Sequence, residues 1–202
     1  MEALGHDAGA LKILLLQMVS LYRDGQLVKL SKRTGETVTL HELMEEVGVD
    51  AARYFFLMRS LDSQLDFDLD LAKKKSNENP VYYIQYAHAR ISSIFGQADE
   101  VGILAKDGAE LELLTDASEI ALIKKLAAYP EEIQRAAAEL APQRIARYSY
   151  DLAGAFHSFY NQCRIIGQEP ARASARLALV TATGRVIRHS LGILGVSAPE
   201  KM

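Results

Sequence analysis

The stretch VKLSKRTGETVTLHELMEEVGVDAARYFFLMRS, residues 28–60, contains the local signals around which the rest of the chain is arranged. Thr39 stands three residues before Glu42, which is the spacing of a capping box. In that motif the hydroxyl and the carboxylate satisfy the free backbone amides at the start of a helix. Gly48 supplies a residue suited to the left-handed end of a helix. The stretch therefore predicts a helix over residues 40–47.

A basic loop precedes this helix and a second helix follows it. Asp50 is predicted to cap the second helix, over residues 51–60. In the loop, Lys29 and Lys32 are separated by a hydroxyl-bearing Ser31 and lie close to a glycine. Mobile ammonium groups suit a polyphosphate whose charge shifts during a reaction. The alternative is a solvated basic turn in a hairpin, and the residues by themselves leave both interpretations open.

The charge of the chain is unevenly distributed along its 202 residues. The formal net charge is -3, yet residues 142–202 hold eight Lys or Arg against three acidic residues, which gives +5. Residues 1–141 therefore carry -8, since -3 minus +5 is -8. A basic C-terminal third permits an anionic partner there without requiring one.

Composition excludes several classes of protein. Cys163 is the single cysteine, so no internal disulfide can form, and its apolar neighbours predict a buried thiol. The start of the sequence lacks a basic, then apolar, signal pattern, and the apolar run 13–16 is too short to cross a membrane. We therefore expect a soluble, cytoplasmic protein with no membrane partner.

Two segments in the first third of the chain indicate extended backbone. Residues 11–30 are strongly apolar and contain an Asp24-Gly25 turn signal, which predicts a β-hairpin. No convincing partner strand is evident, so we expect this strand to complete the sheet of a larger protein. Residues 65–70 alternate apolar and acidic side chains, which predicts an extended connector across the surface. Its carboxylates do not converge, and we predict no metal site.

The remainder reads as a helical bundle, so the fold class is mainly α with a hairpin before it. Apolar residues recur at three- and four-residue steps, and prolines mark several helix starts. Residues 96–115 are predicted as a loop with one short helical piece. Ser118 is expected to cap one of the helices. The predicted helices cover residues 81–95, 119–128, 130–140, 142–166 and 170–191.

Three side chains in the bundle are candidates for binding RNA. Tyr86 and Arg90 lie one helical turn apart and offer a stacking plane and a charged fork to an unstacked base. The alternative is a half-buried tyrosine covered by an arginine. Tyr160, next to Asn161, is a weaker candidate. Four arginines of the last helix could contact phosphates or merely solvate a helix face: Arg172, Arg176, Arg185 and Arg188. Four histidines lack ligand spacing and are expected to be packed or on the surface: His41, His88, His157 and His189.

The residues quoted above resemble the arginyl-tRNA synthetase family of class I aminoacyl-tRNA synthetases. Residues 29–33 are similar to the KMSKS signature, with Leu30 and Arg33 as departures, and residues 48–91 resemble a block specific to that family. The sequence Asp-Ala-Ala-Arg at 50–53 differs from the DALR name at Ala52. The resemblance implies the end of a Rossmann-like catalytic domain over 1–64 and a helical anticodon-binding DALR domain over 65–202.

The resemblance also implies roles for individual residues. Lys29, Ser31 and Lys32 would be catalytic, with the two lysines meeting the phosphates of ATP. Tyr86, Arg90, Tyr160 and Met202 would bind tRNA. The implied partners are tRNA(Arg), arginine and ATP with Mg, the last two acting only with a complete catalytic domain.

The sequence holds no HIGH-type ATP-binding motif or arginine pocket. We therefore interpret the chain as a C-terminal fragment and expect it to be inactive alone in arginine-dependent exchange of pyrophosphate into ATP. The competing hypothesis is a freestanding, non-catalytic helical module that binds RNA or a protein, and the apolar strand over 11–21 argues against it. Composition predicts a frayed tail over 197–202, whereas the glycine and valine before it favour a tail folded back on the bundle.

Overall fold

A computed structural model of the chain describes residues 2–28, 38–103 and 109–202. This part is mainly α-helical with one small sheet, which confirms the predicted fold class. None of its helices is long and apolar enough to cross a membrane. The described elements are β1 Val19–Arg23, β2 Gln26–Leu27, α1 Leu40–Val47, α2 Val49–Leu57, β3 Leu65–Asp68, α3 Leu69–Lys73, α4 Pro80–Glu100, α5 Ala117–Ala127, α6 Tyr129–Glu139, α7 Gln143–Gln162 and α8 Pro170–Leu194.

Helix α1 begins with the predicted capping box. The backbone N–H of Glu42 donates to the Thr39 hydroxyl at 3.2 Å, and the Thr39 N–H donates to the Glu42 carboxylate at 2.7 Å. Gly48, with φ +85°, ends α1 and leads directly into α2. Because no spacer separates the helices, Asp50 lies within the first turn of α2, so its predicted capping role is wrong. Helix α2 also ends at Leu57 rather than at residue 60.

The predicted hairpin forms, and it has a third strand. Asp24 and Gly25 both adopt positive φ, +51° and +70°, in the two-residue turn between β1 and β2. Strand β3 pairs with β1 in parallel, with Leu65 and Phe67 buried on alternate positions. The extended backbone predicted at residue 65 onward is confirmed, but it pairs with β1 instead of crossing the surface, and the expectation that the hairpin has no partner strand in the chain was wrong. This pairing joins residues 46 positions apart, such as Val19 and Leu65, which a local pattern does not reveal.

The apolar run that precedes β1 forms no strand. Residues 11–18 lack regular structure, although Gln17 donates a backbone hydrogen bond to the Leu61 carbonyl at 3.1 Å. The predicted strand is thus limited to Val19–Arg23. Six large apolar side chains in the run are exposed: Leu11, Ile13, Leu14, Leu15, Leu16 and Met18.

Helix α4 packs against α7 and α8, and α7 in turn contacts α5, α6 and α8. The start of α4 at Pro80 is confirmed, and Asn79 caps the helix by accepting from the Val81 N–H. The helix continues through Gly96 to Glu100, so the predicted loop begins later than expected. The α5 cap is also corrected: Asp116 forms the capping box with Glu119, and Ser118 lies inside the helix.

A buried ion pair crosses the bundle from α5 to α8. Arg176 Nε donates to Glu119 Oε1 at 2.6 Å, and both side chains are almost completely buried. The same guanidinium donates to the Arg164 carbonyl and so holds the segment after α7. Cys163 is buried in this segment as predicted, and burial raises the pKa of its thiol.

Two glycines of α8 give opposite expectations for the same substitution. A Cβ at Gly184 would lie 2.9 Å from the branched Cγ2 of Ile91, whereas a Cβ at Gly192 meets nothing within 4 Å. We expect Gly184→Ala to lower the free energy of unfolding by about 1–3 kcal/mol through overpacking. Gly192→Ala should raise it by about 0.5–1 kcal/mol. Urea unfolding measures both values.

A second substitution provides the control. Ile91→Val removes a distal methyl but keeps Cγ2, so it should not restore Gly184→Ala, whereas Ile91→Ala should relieve the clash. If Gly184→Ala and Gly192→Ala were equally stable, the close contact between α4 and α8 would be contradicted.

Candidate nucleic-acid interface

Helices α4 and α7 bring the three predicted RNA-binding side chains of the bundle together. Tyr86 and Arg90 lie one turn apart on α4, and Tyr160 lies near the end of α7. The Arg90 guanidinium carbon is 4.7 Å from the centroid of the Tyr160 ring. A cation at this distance over an aromatic face is attracted by the negative potential of the ring. All three side chains are half-buried, which leaves part of each accessible.

His157 completes an aromatic strip with the tyrosines of α4. Its ring stacks on Tyr86 with centroids 5.8 Å apart and planes at 23°, and it contacts Tyr83 at 4.8 Å. Tyr82 continues the strip, with a ring almost parallel to that of Tyr86 at 6.4 Å. The sequence interpretation gave His157 no functional role. Its position three residues before Tyr160 was the available signal, because residues at that spacing share a helix face.

The imidazole of His157 is held in its neutral form. Burial lowers its pKa, and the charge of Arg90 acts in the same direction, while a hydrogen bond with the Tyr83 backbone opposes them. Within the described residues, its buried Nε2 has no hydrogen-bond partner. A neutral ring next to Arg90 avoids a second positive charge in the strip. The strip therefore presents the Arg90 cation against the Tyr160 ring and beside a neutral imidazole.

A cavity opens beside this strip. Tyr160 and Asn161 from the end of α7, Arg164 just after it and Gln97 from α4 line a volume of about 360 Å³. Asn161 and Arg164 are exposed there, so the cavity offers an amide and a guanidinium next to a ring. Such groups can bond to the edge of an unstacked base.

The predicted catalytic residues Lys29, Ser31 and Lys32 lie outside the described residues. The ends that flank them are anchored. The Val28 N–H donates to the Leu21 carbonyl at 2.8 Å, and Thr39 forms the capping box of α1. Their roles stay a prediction.

The tail folds back onto the bundle, as its glycine and valine favoured. Gly195 adopts φ +66° at the end of α8, and the Val196 N–H donates to the Leu191 carbonyl. Ser197 and Pro199 then contact other helices through hydrogen bonds. Met202 is 54% exposed, and its place beside Tyr86 and Tyr160 stays a prediction.

The four arginines of α8 separate into different environments. Arg176 is committed to the buried pair with Glu119, so a role in contacting phosphate is excluded for it. Arg172 donates to the Leu113 carbonyl at 3.4 Å. Arg185 and Arg188 are exposed and line a cavity of about 330 Å³ between α4 and α8.

Comparisons with known proteins identify relatives of this chain. The sequence model of the DALR anticodon binding domain matches residues 84–202. An arginine–tRNA ligase of Carboxydothermus hydrogenoformans is 56% identical over 204 residues, covering 100% of this chain and 37% of that protein. One of Desulforudis audaxviator is 57% identical over 205 residues, with 36% of that protein covered. The chain thus spans little more than a third of the curated relatives that it matches.

Solved structures agree with these sequence relatives. A structure described as an arginyl-tRNA synthetase of Campylobacter jejuni superposes with a TM-score of 0.86 and 33% identity, covering 100% of this chain and 43% of that one. The arginyl-tRNA synthetase of Thermus thermophilus gives a TM-score of 0.67 and 27% identity, with 85% and 29% covered. The chain is homologous to a C-terminal part of such proteins.

The lowered pKa of His157 predicts a dependence of stability on pH. The unfolded imidazole titrates at about pH 6.5, so between that pH and the lower folded-state pKa the unfolded chain binds more protons. The stability contributed by the neutral ring should therefore be complete above about pH 6.5 and decline as the pH falls below it. Urea midpoints at about pH 7.5 and pH 5.5 measure this loss.

His157→Phe should reduce the difference between the two midpoints, because phenylalanine packs without titrating. His41→Gln is the control, since His41 is an exposed residue of α1 that pairs with Glu45. An unchanged difference in His157→Phe would contradict the assignment of a buried neutral imidazole.

Proposed function

The chain belongs to the DALR anticodon binding domain family, and from that premise we propose that it holds the anticodon loop of tRNA(Arg) for an arginine–tRNA ligase. The observation that carries the proposal is the Arg90 guanidinium over the Tyr160 ring, joined to the strip of Tyr86 and His157. This arrangement matches the needs of single-stranded RNA, which is held by stacking on aromatic rings and on guanidinium planes.

The chemistry of binding follows from the strip. Bases splayed out of the anticodon loop stack on the accessible faces of Tyr86 and Tyr160, and each such contact contributes about 1–3 kcal/mol. Arg90 offers donors to a base edge or a phosphate, while its own stacking on Tyr160 limits its freedom. Asn161 in the adjacent cavity gives both a donor and an acceptor.

The charge distribution supports an RNA partner on the C-terminal side. Residues 142–202 carry +5 by the count of eight basic and three acidic residues, within a chain of net charge -3. Arg185 is an exposed cation of α8 that remains available for phosphates, whereas Arg188 pairs with Glu200 and donates to His88. Phosphate contacts of this kind release counterions, so binding should weaken as salt increases.

In the whole enzyme, we propose, the chain also supplies part of the catalytic machinery. Arginine would react with ATP to give arginyl-adenylate and pyrophosphate, and the arginyl group would then pass to tRNA(Arg) with release of AMP. Lys29 and Lys32, with Ser31 between them, would stabilise the charge that develops on the pyrophosphate. Mg would accompany the ATP, and such an enzyme would act in the cytoplasm.

The exposed apolar run supports this place in a larger protein. Residues 11–18 carry six exposed apolar side chains, a patch that a soluble domain would normally cover. The additional length of the relatives offers a surface for it. This observation favours the synthetase proposal over a freestanding helical module.

The first test is binding of the chain to tRNA. Tyr86→Ala and Arg90→Ala should each weaken binding to a tRNA with an arginine-specific anticodon, by about 1–3 kcal/mol for a lost stack. Both substitutions should also reduce the difference in affinity between this tRNA and a tRNA altered at the middle anticodon base. Fluorescence anisotropy titrations measure both affinities.

Arg135→Ala is the matched control, because Arg135 forms an exposed pair with Glu131 within α6. Arg135→Ala removes one positive charge, as Arg90→Ala does, but at a site outside the strip. It should leave the difference in affinity between the two RNAs unchanged. If Arg135→Ala and Arg90→Ala lowered the affinity for tRNA equally, the binding would be nonspecific electrostatic attraction and the proposed role of the strip would be contradicted.

The second test concerns catalysis in a full-length enzyme that contains this chain. Lys32→Ala should lower the rate of arginine activation by on the order of a hundredfold, since the lost contact exists mainly in the transition state. Its affinity for tRNA should change little. Pyrophosphate exchange and tRNA titration separate the two effects, and a change confined to tRNA affinity would make the loop an RNA contact instead.

A further inference from the structure

The chain's tail is tied to the first turn of α2. The Ser197 N–H donates to Asp50 Oδ1 at 3.1 Å, and the Ser197 hydroxyl donates to the same carboxylate. These contacts join residues 147 positions apart. A carboxylate that accepts a backbone N–H and a hydroxyl forms charge-assisted hydrogen bonds, which are stronger than neutral ones.

Helix α4 takes part in the same network through Gln85. Its side-chain amide donates to Asp50 Oδ2 at 2.8 Å and to the Ser197 carbonyl at 3.0 Å. Gln85 is the immediate neighbour of Tyr86 in the aromatic strip. One carboxylate therefore connects α2, α4 and the tail.

A second contact holds the tail farther along α4. His88 is 2% exposed, and its Nδ1 lies 2.8 Å from the Pro199 carbonyl. Because a carbonyl only accepts, Nδ1 carries the hydrogen, and Nε2 is left to accept from Arg188 Nε at 3.3 Å. Arg188 in turn pairs with Glu200 at 3.0 Å. The tail is thus fixed at three points, Ser197, Pro199 and Glu200.

Arg53 contacts the turn from which the tail departs. A Cβ built on Gly195 would lie 2.8 Å from Arg53 Nη1, so the guanidinium crosses close over the glycine. Gly195 also needs φ +66°, which favours glycine. Asp50 and Arg53 are three residues apart and share one face of α2.

We propose that Asp50 and Arg53 are positioning residues that clamp the C-terminal tail, residues 195–202, onto the bundle, so that Met202, the tail residue predicted to bind tRNA, is held in place before RNA arrives. The inference rests on the proposed function. A docked tail places Ser197 against Gln85 and Pro199 against His88, on the same helix that carries Tyr86. The ordering cost is then met during folding rather than during binding.

The expected effect follows from the docked fraction. If only docked chains bind RNA fully, the apparent dissociation constant rises in inverse proportion to the fraction docked. Replacing the Asp50 carboxylate by an amide would direct an NH₂ group at the donors of Gln85 and Ser197. Hydrogen bonds to a charged group are strong enough for this change to reduce docking about tenfold.

The experiment is a cycle between Asp50→Asn and a chain that lacks residues 197–202. Asp50→Asn should speed hydrogen exchange at the Ser197 amide and weaken tRNA binding about tenfold in the full chain. In the shortened chain the same substitution should have no further effect on binding. Equal weakening with and without the tail, or unchanged binding in the full chain, would overturn the clamp.

Two further variants secure the interpretation. Ser197→Ala removes a donor from an exposed residue, so it cannot unfold the bundle, and it should shift exchange and binding in the same direction as Asp50→Asn. Glu131→Gln, in an exposed pair of α6, should change neither.

Failure of the clamp and failure of the proposed function give different results. Absence of tRNA binding by the unaltered chain would overturn the proposed function. Binding by the unaltered chain together with unchanged Ser197 exchange in Asp50→Asn would overturn the clamp alone.

Discussion

Helix α4 must bury one face against both α7 and α8, and the directions of its other faces follow from that constraint. Ile84, Ile91 and Ile94 are almost completely buried, and Ile91 lies against Gly184 of α8, where the helices approach closely. With this face fixed, the 100° step of an α-helix sends Tyr86 and Arg90 to one side. It sends Gln85 and His88 to another. The packing of this one face of α4 therefore fixes the positions of both the aromatic strip and the docking site of the tail.

The two outer faces of α4 make different use of polar groups. On the strip, the Arg90 guanidinium makes a cation–π contact with the Tyr160 ring, and burial keeps His157 neutral. On the tail side, Asp50 and Arg188 act through hydrogen bonds and an ion pair with the end of the chain. The first face remains accessible for a ligand, while the second is occupied by the protein itself.

Local signals predicted the parts of this structure that depend on neighbouring residues. The Thr39–Glu42 capping box, the Asp24-Gly25 turn and the Pro80 helix start all form as the sequence indicated. They could be predicted because each depends on backbone groups within a few positions. The spacing of Tyr86 and Arg90 likewise predicted that they lie one turn apart on a helix, while their role in binding RNA stays a prediction.

Contacts between distant segments escaped prediction. The pairing of β1 with β3 joins residues 46 positions apart, and the contact of Asp50 with Ser197 joins residues 147 positions apart. Asp50 looked like a helix cap because aspartate favours that position, yet Gly48 begins α2 early enough to free the carboxylate for Ser197. His88 looked like a packed imidazole, and only the folded tail shows that it holds the Pro199 carbonyl.

The most direct test of the account is whether anticodon-loop bases stack on the aromatic strip of α4 and His157 and on the neighbouring Tyr160 ring. An anticodon stem-loop RNA with 2-aminopurine beside the middle anticodon base reports stacking through its fluorescence. Addition of the chain should change that fluorescence in parallel with binding, and Tyr160→Leu should remove the change while the residual electrostatic binding persists. A signal that stays constant through saturation, or a change that Tyr160→Leu leaves intact, would contradict the claim that this surface receives the bases.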